Sequence, residues 1–233
     1  ADDHAGGERD EGEAGLYAAY RRQAAPDSIA LFPNGKSEIM AVYNKPAPAW
    51  NFAQTAAQTA LRVARELETS EDIETVSIRV PDAAARYPGC DSKGPFRNAL
   101  QAKMSIPFSV AAVLARGALE EGNYADVDEP SILRLIERTE LQSEPGLTAA
   151  FPAKQGAEIL IGLRNGNTIH QRLDNVIAAT PDEIRGRFRQ AASDVIGDKL
   201  TSRVSANGQA AVTLLQIKNE FMAAGNIVLI EEV

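Results

Sequence analysis

Cysteine and histidine are scarce in this sequence. The 233 residues include one cysteine, Cys90, and two histidines, His4 and His170. A single cysteine excludes an internal disulfide bond, and it cannot supply the ligands of a cysteine-based zinc site or iron–sulfur cluster. Two histidines leave almost no material for a histidine triad or a zinc centre. The sequence therefore predicts no metal site.

Long apolar runs and a basic N-terminus are also missing. No apolar stretch approaches the roughly 20 residues that a helix needs to cross a bilayer, so no membrane span is predicted. The N-terminus is acidic and glycine-rich instead of basic and then apolar, which argues against a signal peptide. We expect a cytoplasmic protein without a membrane partner.

The net charge of −8 is concentrated at one end of the chain. Residues 1–13 hold six acidic residues against one arginine, and therefore carry −5 of this charge. The rest of the chain is nearly neutral at −3. Because phosphate binding normally needs a basic stripe, nucleic acid is not an expected partner. The contents of 44 % apolar and 24 % charged residues are ordinary for a globular protein.

Apolar periodicity and turn residues divide the chain into helices and strands. Residues 1–37 are predicted to be an acidic flexible segment and connector, with a short helix at 15–22. Predicted strands cover 38–43, 73–80, 139–142, 158–163, 167–173 and 227–230. Predicted helices cover 52–67, 130–138, 180–196 and 209–223, with another between Ser105 and Gly117; 81–100 is a long loop. This order predicts an α+β fold, a two-layer domain with a mixed or antiparallel four- to five-stranded sheet and packed helices.

Three short motifs set the predicted boundaries of these elements. Asn165-Gly166 between two strands predicts a two-residue hairpin loop. Thr180 and Glu183 form a capping box. Ser105 is the predicted N-cap of the helix that follows it.

The segment from Tyr43 to Trp50 is the strongest candidate for a functional site. It places Lys45, two prolines and Trp50 immediately before an alanine-rich helix. A residue before a proline is kept out of helical space, so the segment is predicted to be a rigid, extended connector. The connector would hold the Lys45 ammonium group near Gln54 and Thr55. A cation beside a helix N-terminus is suited to binding an anion.

These residues also have purely structural interpretations. Lys45 is equally consistent with a solvated lysine at the end of a strand. Gln54 and Thr55 are consistent with ordinary roles in the first turn of a helix. Trp50 is expected to anchor the connector to the core, and its position also makes it a candidate pocket wall.

Lys103 and Ser105 form a second candidate anion site. They lie together at the start of a predicted helix, where a flanking lysine adds charge to the helix dipole. Helix capping alone is a sufficient explanation for Ser105.

Four segments, in order, resemble the MmgE/PrpD family, which includes 2-methylcitrate dehydratase, cis-aconitate decarboxylase and iminodisuccinate epimerase. The first is the connector, with its lysine and prolines before a helix rich in small residues. Residues 73–81 are similar to the family's strand that ends at a proline. Residues 101–117 contain Lys-x-Ser-x-x-Phe-x-Val-Ala, and residues 180–189 contain Arg-Phe-Arg. The resemblance spans roughly residues 38 to 196.

The resemblance implies an organisation for the chain. Residues 38–179 correspond to the family's small, lid-like α+β domain. Residues 180–233 correspond to C-terminal helices that return to a larger all-helical domain, which is incomplete in this sequence. Full activity is expected only with that helical domain, and a homodimer is expected.

The resemblance also implies a chemistry. The family acts without a cofactor on small di- or tricarboxylates, by abstracting a proton and then losing water or carbon dioxide or regaining a proton. Lys45 is the implied catalytic residue, because a nearby cation stabilises the enolate-like charge that develops beside a carboxylate. The implied substrate-binding residues are Lys45, Trp50, Gln54, Thr55, Lys103 and Ser105.

Two departures from the family pattern leave a second interpretation open. Family members often carry Cys or His at the position of Trp50 and His at the position of Gln54. The tyrosine that the decarboxylases place after the strand-ending proline is an alanine here, Ala85, and Tyr87 follows two positions later. The alternative is a standalone carboxylate-binding or interaction domain that does not catalyse a reaction.

Overall fold

The computed structural model describes residues 42–206. Contacts divide the chain into two units, Ala1–Val42 and Tyr43–Val233, and all the described helices and strands belong to the second. The strands are β1 (Ile73–Val80), β2 (Thr139–Ser143), β3 (Ala157–Leu163) and β4 (Thr168–Leu173). The α-helices are α1 (Gln54–Ala64), α2 (Asp82–Ala85), α3 (Ala99–Met104), α4 (Ile106–Arg116), α5 (Pro130–Glu137), α6 (Pro145–Ala150), α7 (Pro181–Ile196) and α8 (Asp198–Ala206).

The four strands form one mixed sheet in the order β2-β1-β3-β4. β1 runs parallel to β2, whereas the pairs β1–β3 and β3–β4 are antiparallel. The parallel pair needs a long crossover, which α2 to α5 supply, and the antiparallel pair β3–β4 needs only a short loop. This arrangement confirms the predicted α+β class and the mixed four-stranded sheet.

Helices α1, α4 and α5 pack on one face of the sheet. Alternate residues of β1 point into this layer, and Val76, Ile78 and Val80 are each at most 1 % exposed. The face of α1 toward the core carries alanines, and Ala56 and Ala60 are fully buried. Their small side chains let the helix backbone lie close to α4 and the sheet, which explains the alanine content of α1.

The opposite face of the sheet is polar and carries a charged cluster centred on Glu158. The carboxylate of Glu158 lies 3.1 Å from Arg79, 3.1 Å from His170 and 3.1 Å from Arg172. These four residues come from three neighbouring strands and alternate with the buried residues of the core. His170 therefore lies on the face of the sheet that is not covered by α1, α4 and α5.

The predictions for the sheet strands after the connector are largely confirmed. β1 has the predicted bounds, and β2 extends one residue beyond its prediction. The hairpin loop was predicted as two residues, but Leu163 still pairs with Asn167, through an N–H to carbonyl bond of 2.9 Å. The loop therefore has three residues. The Gly166 N–H donates to the Leu163 carbonyl and closes a turn, and Gly166 itself adopts the left-handed conformation, at φ +84°, that leads into β4.

The predicted helix ends are confirmed where a cap marks them. The Ser105 hydroxyl accepts the Phe108 N–H at 3.0 Å, and α4 ends at Gly117 with φ +68°. The capping box of Thr180 and Glu183 is formed, and α7 ends at Ile196 as predicted. Helix α1 is shorter than predicted, since a 3₁₀ turn, Asn51–Ala53, precedes it and it ends at Ala64.

Several predicted elements lie outside the described residues. They are the helix at 15–22, the helix at 209–223 and the strand at 227–230. The predicted strand 38–43 also lies outside, except for its last two residues, which belong to no strand. The domain boundaries at 37/38 and 179/180 stay predictions.

Candidate functional site

The connector, Tyr43–Trp50, runs along the N-terminal end of α1 and alternates between the surface and the core. Ala47 and Ala49 are 2 % and 7 % exposed, whereas Lys45 and Trp50 are exposed. Pro46 and Pro48 fix the backbone torsion φ at two positions of this short segment. The prolines and the buried alanines therefore make the connector stiff, and the Lys45 side chain projects from it.

The Gln54 side chain hydrogen-bonds to the backbone of the connector. Its side-chain oxygen accepts the Ala47 N–H at 3.0 Å, and its amide nitrogen donates to the carbonyls of Ala47 at 2.9 Å and Ala49 at 2.7 Å. A longer contact of 3.3 Å reaches the Trp50 carbonyl. The Gln54 side chain is fully buried, and its donors and acceptor are used by the connector backbone. Binding of an anion by Gln54 stays a prediction.

Thr55 ties the start of α1 to the segment before β3. Its hydroxyl donates to the Gln155 carbonyl at 2.5 Å, and Thr55 is 1 % exposed. The Gln155 side chain in turn donates to the Asn51 carbonyl at 2.6 Å. Thr55, like Gln54, has a protein partner, so its contact with a ligand also stays a prediction.

Lys45 projects from the connector next to Trp50. The ammonium nitrogen lies 5.8 Å from the centre of the Trp50 ring, within the range of a cation–π contact. Within residues 42–206, the Lys45 ammonium group makes no ion pair. A cation without an acidic partner remains available for an incoming carboxylate.

Trp50 is the first member of a row of aromatic rings beside Lys45. The ring centres of Trp50 and Tyr87 are 6.1 Å apart, those of Tyr87 and Phe52 are 5.4 Å apart, and Phe151 continues the row 6.0 Å from Phe52. Trp50 and Tyr87 are 37 % and 40 % exposed. The row gives the ammonium group an apolar neighbour on the surface, and Tyr87 belongs to it although it follows the strand-ending proline later than in the resembled family.

Of the two residues of the second candidate site, Lys103 contacts the connector through its backbone. The Trp50 N–H donates to the Lys103 carbonyl at 2.9 Å, so the two candidate anion sites adjoin at this residue. The Lys103 ammonium group pairs with Glu121 and lies 5.6 Å from the Tyr124 ring centre. Ser105 is fully buried and its hydroxyl donates to the Ser92 carbonyl at 2.6 Å. Both side chains have protein partners, and their contact with a substrate stays a prediction.

Sequence reasoning missed the residue that fixes the connector from the other side. Arg187, on α7, donates from one guanidinium nitrogen to the Lys45 carbonyl at 2.8 Å and from the other to the Pro46 carbonyl at 2.6 Å. The sequence carried one signal for it, since Arg187 is the first residue of the Arg-Phe-Arg segment. That segment contributed to the family resemblance but gave no indication of its contact, because 142 positions separate Arg187 from Lys45.

The described residues also form a cleft of about 630 Å³ that contains none of the predicted site residues. It lies beyond the C-terminal end of α1, beside the β3–β4 loop, and its lining includes Glu66, Glu68 and Asp72. An acidic lining repels a polycarboxylate. Helix α1 separates this cleft from the connector by its 11 residues, or roughly 16 Å of rise. The cleft therefore does not belong to the Lys45 site.

Two features are absent from the described part of the chain. No helix there has the length and apolar character of a membrane span. Among the same residues, no three His, Cys, Asp or Glu side chains are grouped as the ligands of a metal ion would be.

Comparison with known protein families gives a match over most of the chain. The family model described as the MmgE/PrpD C-terminal domain matches residues 48–209, more than two thirds of the chain. The matched range begins within the connector and includes the four strands and the eight α-helices described above. No curated protein matches the chain.

Proposed function

The chain belongs to the MmgE/PrpD family, and we propose that its described domain binds a small di- or tricarboxylate at Lys45. The observation that carries this proposal is the Lys45 ammonium group itself. It stands on the connector, which is fixed by two prolines and by Gln54, and within residues 42–206 it has no acidic partner. A preorganised cation costs little to arrange when the anion arrives.

Lys45 has two roles in the proposed reaction. It binds one carboxylate of the substrate, and it stabilises the enolate-like charge that develops when a neighbouring C–H proton is removed. The reaction class is dehydration, decarboxylation or epimerisation, without a cofactor. In the resembled family the histidines that move the proton come from the helical domain, and His170 of this chain lies on the face of the sheet opposite to α1, α4 and α5.

A second candidate function is carboxylate binding without catalysis. The observation that favours it is the internal use of Gln54, Thr55 and Ser105, whose polar groups are bonded to the backbone of this domain. A site that keeps Lys45 but lacks further free polar groups can hold an anion without guiding a proton transfer.

Binding is tested by calorimetry with a panel of di- and tricarboxylates on the full 233-residue chain. Loss of a charge-assisted hydrogen bond is worth about 1.5–3 kcal/mol, so Lys45→Ala is expected to weaken binding by roughly 10- to 100-fold. Lys154→Ala is the matched control, because it removes another exposed lysine of the same domain. Equal binding by wild type and Lys45→Ala, or no binding by wild type, would refute the proposal.

The two candidate functions are separated by proton exchange. The wild-type chain is incubated with the acids that bind, in deuterated water, and loss of the C–H signal beside the carboxylate is followed by NMR. Exchange that depends on Lys45 supports the enzyme. Binding without accelerated exchange supports the non-catalytic domain. Dimerisation, which the family resemblance also implies, is measured on the same samples by analytical ultracentrifugation.

A further inference from the structure

We propose that Arg187 is a positioning residue for Lys45, which couples helix α7 to the carboxylate site. The inference rests on the proposed function in one respect, namely that Lys45 contacts the ligand. Arg187 is 142 positions away in sequence, and its hydrogen bonds go to the backbone of the connector; its charge also helps to lower the pKa of Glu183 on its own helix. Its effect on a ligand is therefore exerted through Lys45.

The contact has the geometry of a two-pronged clamp. One guanidinium nitrogen of Arg187 donates to the Lys45 carbonyl at 2.8 Å, and the other donates to the next carbonyl, that of Pro46, at 2.6 Å. A guanidinium group is planar and its donors point in fixed directions, so two bonds to consecutive carbonyls fix both the position and the rotation of that stretch of backbone. A hydrogen bond from a charged donor is also stronger than one between neutral groups.

The other hydrogen bonds of the connector lie on either side of Lys45 and Pro46, the two residues that Arg187 contacts. Gln54 holds the backbone from Ala47 onward, and the Ala179 N–H holds the Asn44 carbonyl at 2.9 Å. Lys45 and Pro46 lie between these two anchors. Pro46 has no N–H group to donate, so apart from the Lys45 N–H the two carbonyls are the backbone groups through which this stretch can be held.

The clamp acts on the ammonium group because the Lys45 side chain has no ion pair within the described residues. The direction in which the side chain leaves the connector is set by the backbone torsions of Lys45. The proline that follows already restricts these torsions to extended values. Fixing the Lys45 carbonyl removes the remaining freedom of the ψ torsion, and thereby sets the direction from which the side chain reaches the Trp50 ring, whose centre lies 5.8 Å from the ammonium nitrogen.

Helix α7 transmits its own position to this site. The capping box of Thr180 fixes the start of the helix, and Arg187 lies seven residues, or roughly 10 Å, along it. Gln58 of α1 holds the chain that leads into α7 through two bonds with Ile177, of 2.9 and 3.0 Å. A displacement of α7 therefore moves the guanidinium group relative to an otherwise fixed connector.

The test uses NMR of the full-length chain with ¹³C-methylated lysines. The Lys45 signal, assigned with Lys45→Arg, is expected to be shifted by the ring current of Trp50. In Arg187→Gln it is expected to move toward the position of Lys154, an exposed lysine that makes no cation–π contact within the described residues. Arg185→Gln is the matched control, because Arg185 lies on the same helix and pairs with Asp182 at the surface; there the Lys45 signal is expected to stay.

Two further measurements separate the clamp from loss of folding. Arg187→Lys keeps the charge and the aliphatic part of the side chain but loses the pair of guanidinium nitrogens that donate to two carbonyls at once. It is therefore expected to move the Lys45 signal as Arg187→Gln does. In the unsubstituted protein, slow rotation of the Arg187 guanidinium group, seen as separate Nη signals, is expected from two simultaneous bonds. A Lys45 signal that is unchanged in Arg187→Gln, or moved equally by Arg185→Gln, would overturn the inference.

Ligand binding adds a test of the coupling. Arg187→Gln is expected to weaken carboxylate binding about 3- to 10-fold in wild type and to have no effect in the Lys45→Ala background, since a residue that acts through another loses its effect with it. Equal weakening in both backgrounds would contradict the positioning role. Failure of the wild-type chain to bind any carboxylate would refute the proposed function, while the NMR result would still decide whether Arg187 positions Lys45.

Discussion

The side chain of Gln54 closes a ring of two hydrogen bonds with the backbone of Ala47. The Ala47 N–H donates to the Gln54 side-chain oxygen at 3.0 Å, and the Gln54 amide nitrogen donates back to the Ala47 carbonyl at 2.9 Å. This is the bonding that a neighbouring strand would supply, made here by one fully buried side chain. The proline-rich connector thus obtains its backbone partners from the first residue of α1.

We predict that Gln54→Ala destabilises the protein by about 3 kcal/mol, because it leaves buried backbone groups of the connector without partners. Gln54→Glu is expected to cost more at neutral pH, since its carboxylate would face the carbonyls of Ala47 and Ala49. The free energy of unfolding is measured by denaturation with urea. Gln58→Ala is the control: Gln58 is half-buried on the same helix, and loss of its bonds to Ile177 is expected to cost only about 1 kcal/mol. Equal losses for the two alanine variants would contradict this role of Gln54.

The sequence alone predicted the elements whose signals are local. The alternation of β1, the Asn165-Gly166 turn and the capping box at Thr180 each lie within a few residues, and each predicted element was found. Helices α2, α3 and α6 were missed because each has at most six residues. Fewer than two turns of helix show no apolar repeat.

The position of the connector before α1 was predicted, but the contacts of its residues were not. The connector stands before α1 as expected, and Lys45 is exposed on it. Gln54 and Ser105 were expected beside a ligand, but the bonds of their side chains depend on where the connector and the 81–100 loop fold back, which no local pattern encodes. The same holds for Arg187, whose contact joins two elements separated by most of the domain.

A pair of glycine substitutions is predicted to change the stability in opposite directions. A methyl group at Gly156 would lie 2.5 Å from a side-chain carbon of Leu147 and 3.0 Å from two backbone carbonyl oxygens, so Gly156→Ala is expected to cost about 1–3 kcal/mol. At Gly186, within α7, a methyl group meets none of the described residues within 4 Å. Gly186→Ala is therefore expected to stabilise the protein by about 0.5–1 kcal/mol through helix propensity. Both are measured by denaturation with urea, and a stabilising Gly156→Ala would show that the strand β3 can shift to make room.

The capping box of α7 is predicted to lose stability in acid. Backbone and side-chain hydrogen bonds from Thr180 lower the pKa of Glu183 below its ordinary value. A carboxyl group whose pKa is lower in the folded state stabilises that state above the ordinary pKa, and this contribution is lost as the pH falls through the folded value. The stability difference between wild type and Glu183→Gln is therefore expected to be largest at neutral pH and to shrink below about pH 4.5, the ordinary pKa.

The pKa of Glu183 is measured directly by an NMR titration of its carboxyl carbon. Thr180→Ala is expected to raise this pKa, because it removes one of the hydrogen bonds that favour the charged form. The Glu144 carboxyl provides an internal control, since its pKa is lowered chiefly by the N–H groups of Gly146 and Leu147 and should not respond to Thr180→Ala. A Glu183 pKa at the ordinary value in wild type would show that the capping box is not formed in solution.

Cys90 is predicted to be chemically inert in the folded protein. The residue is fully buried, and burial raises the pKa of its thiol to about 11. Since the thiolate is the reactive form, raising the thiol pKa from its ordinary value to about 11 lowers the reaction rate at pH 8 by roughly 100-fold. Burial, which keeps the reagent away from the sulfur, lowers the rate further.

The rate of reaction of Cys90 with a coloured disulfide reagent is compared in native buffer and in urea. An exposed reference thiol is supplied by Lys154→Cys in a Cys90→Ala background, and it is expected to react fast in both conditions. Because Cys90 then reacts only when the core opens, Gly156→Ala should accelerate its labelling and Gly186→Ala should not. If Cys90 is labelled in native buffer as fast as the reference thiol, the packing around Cys90 is open in solution.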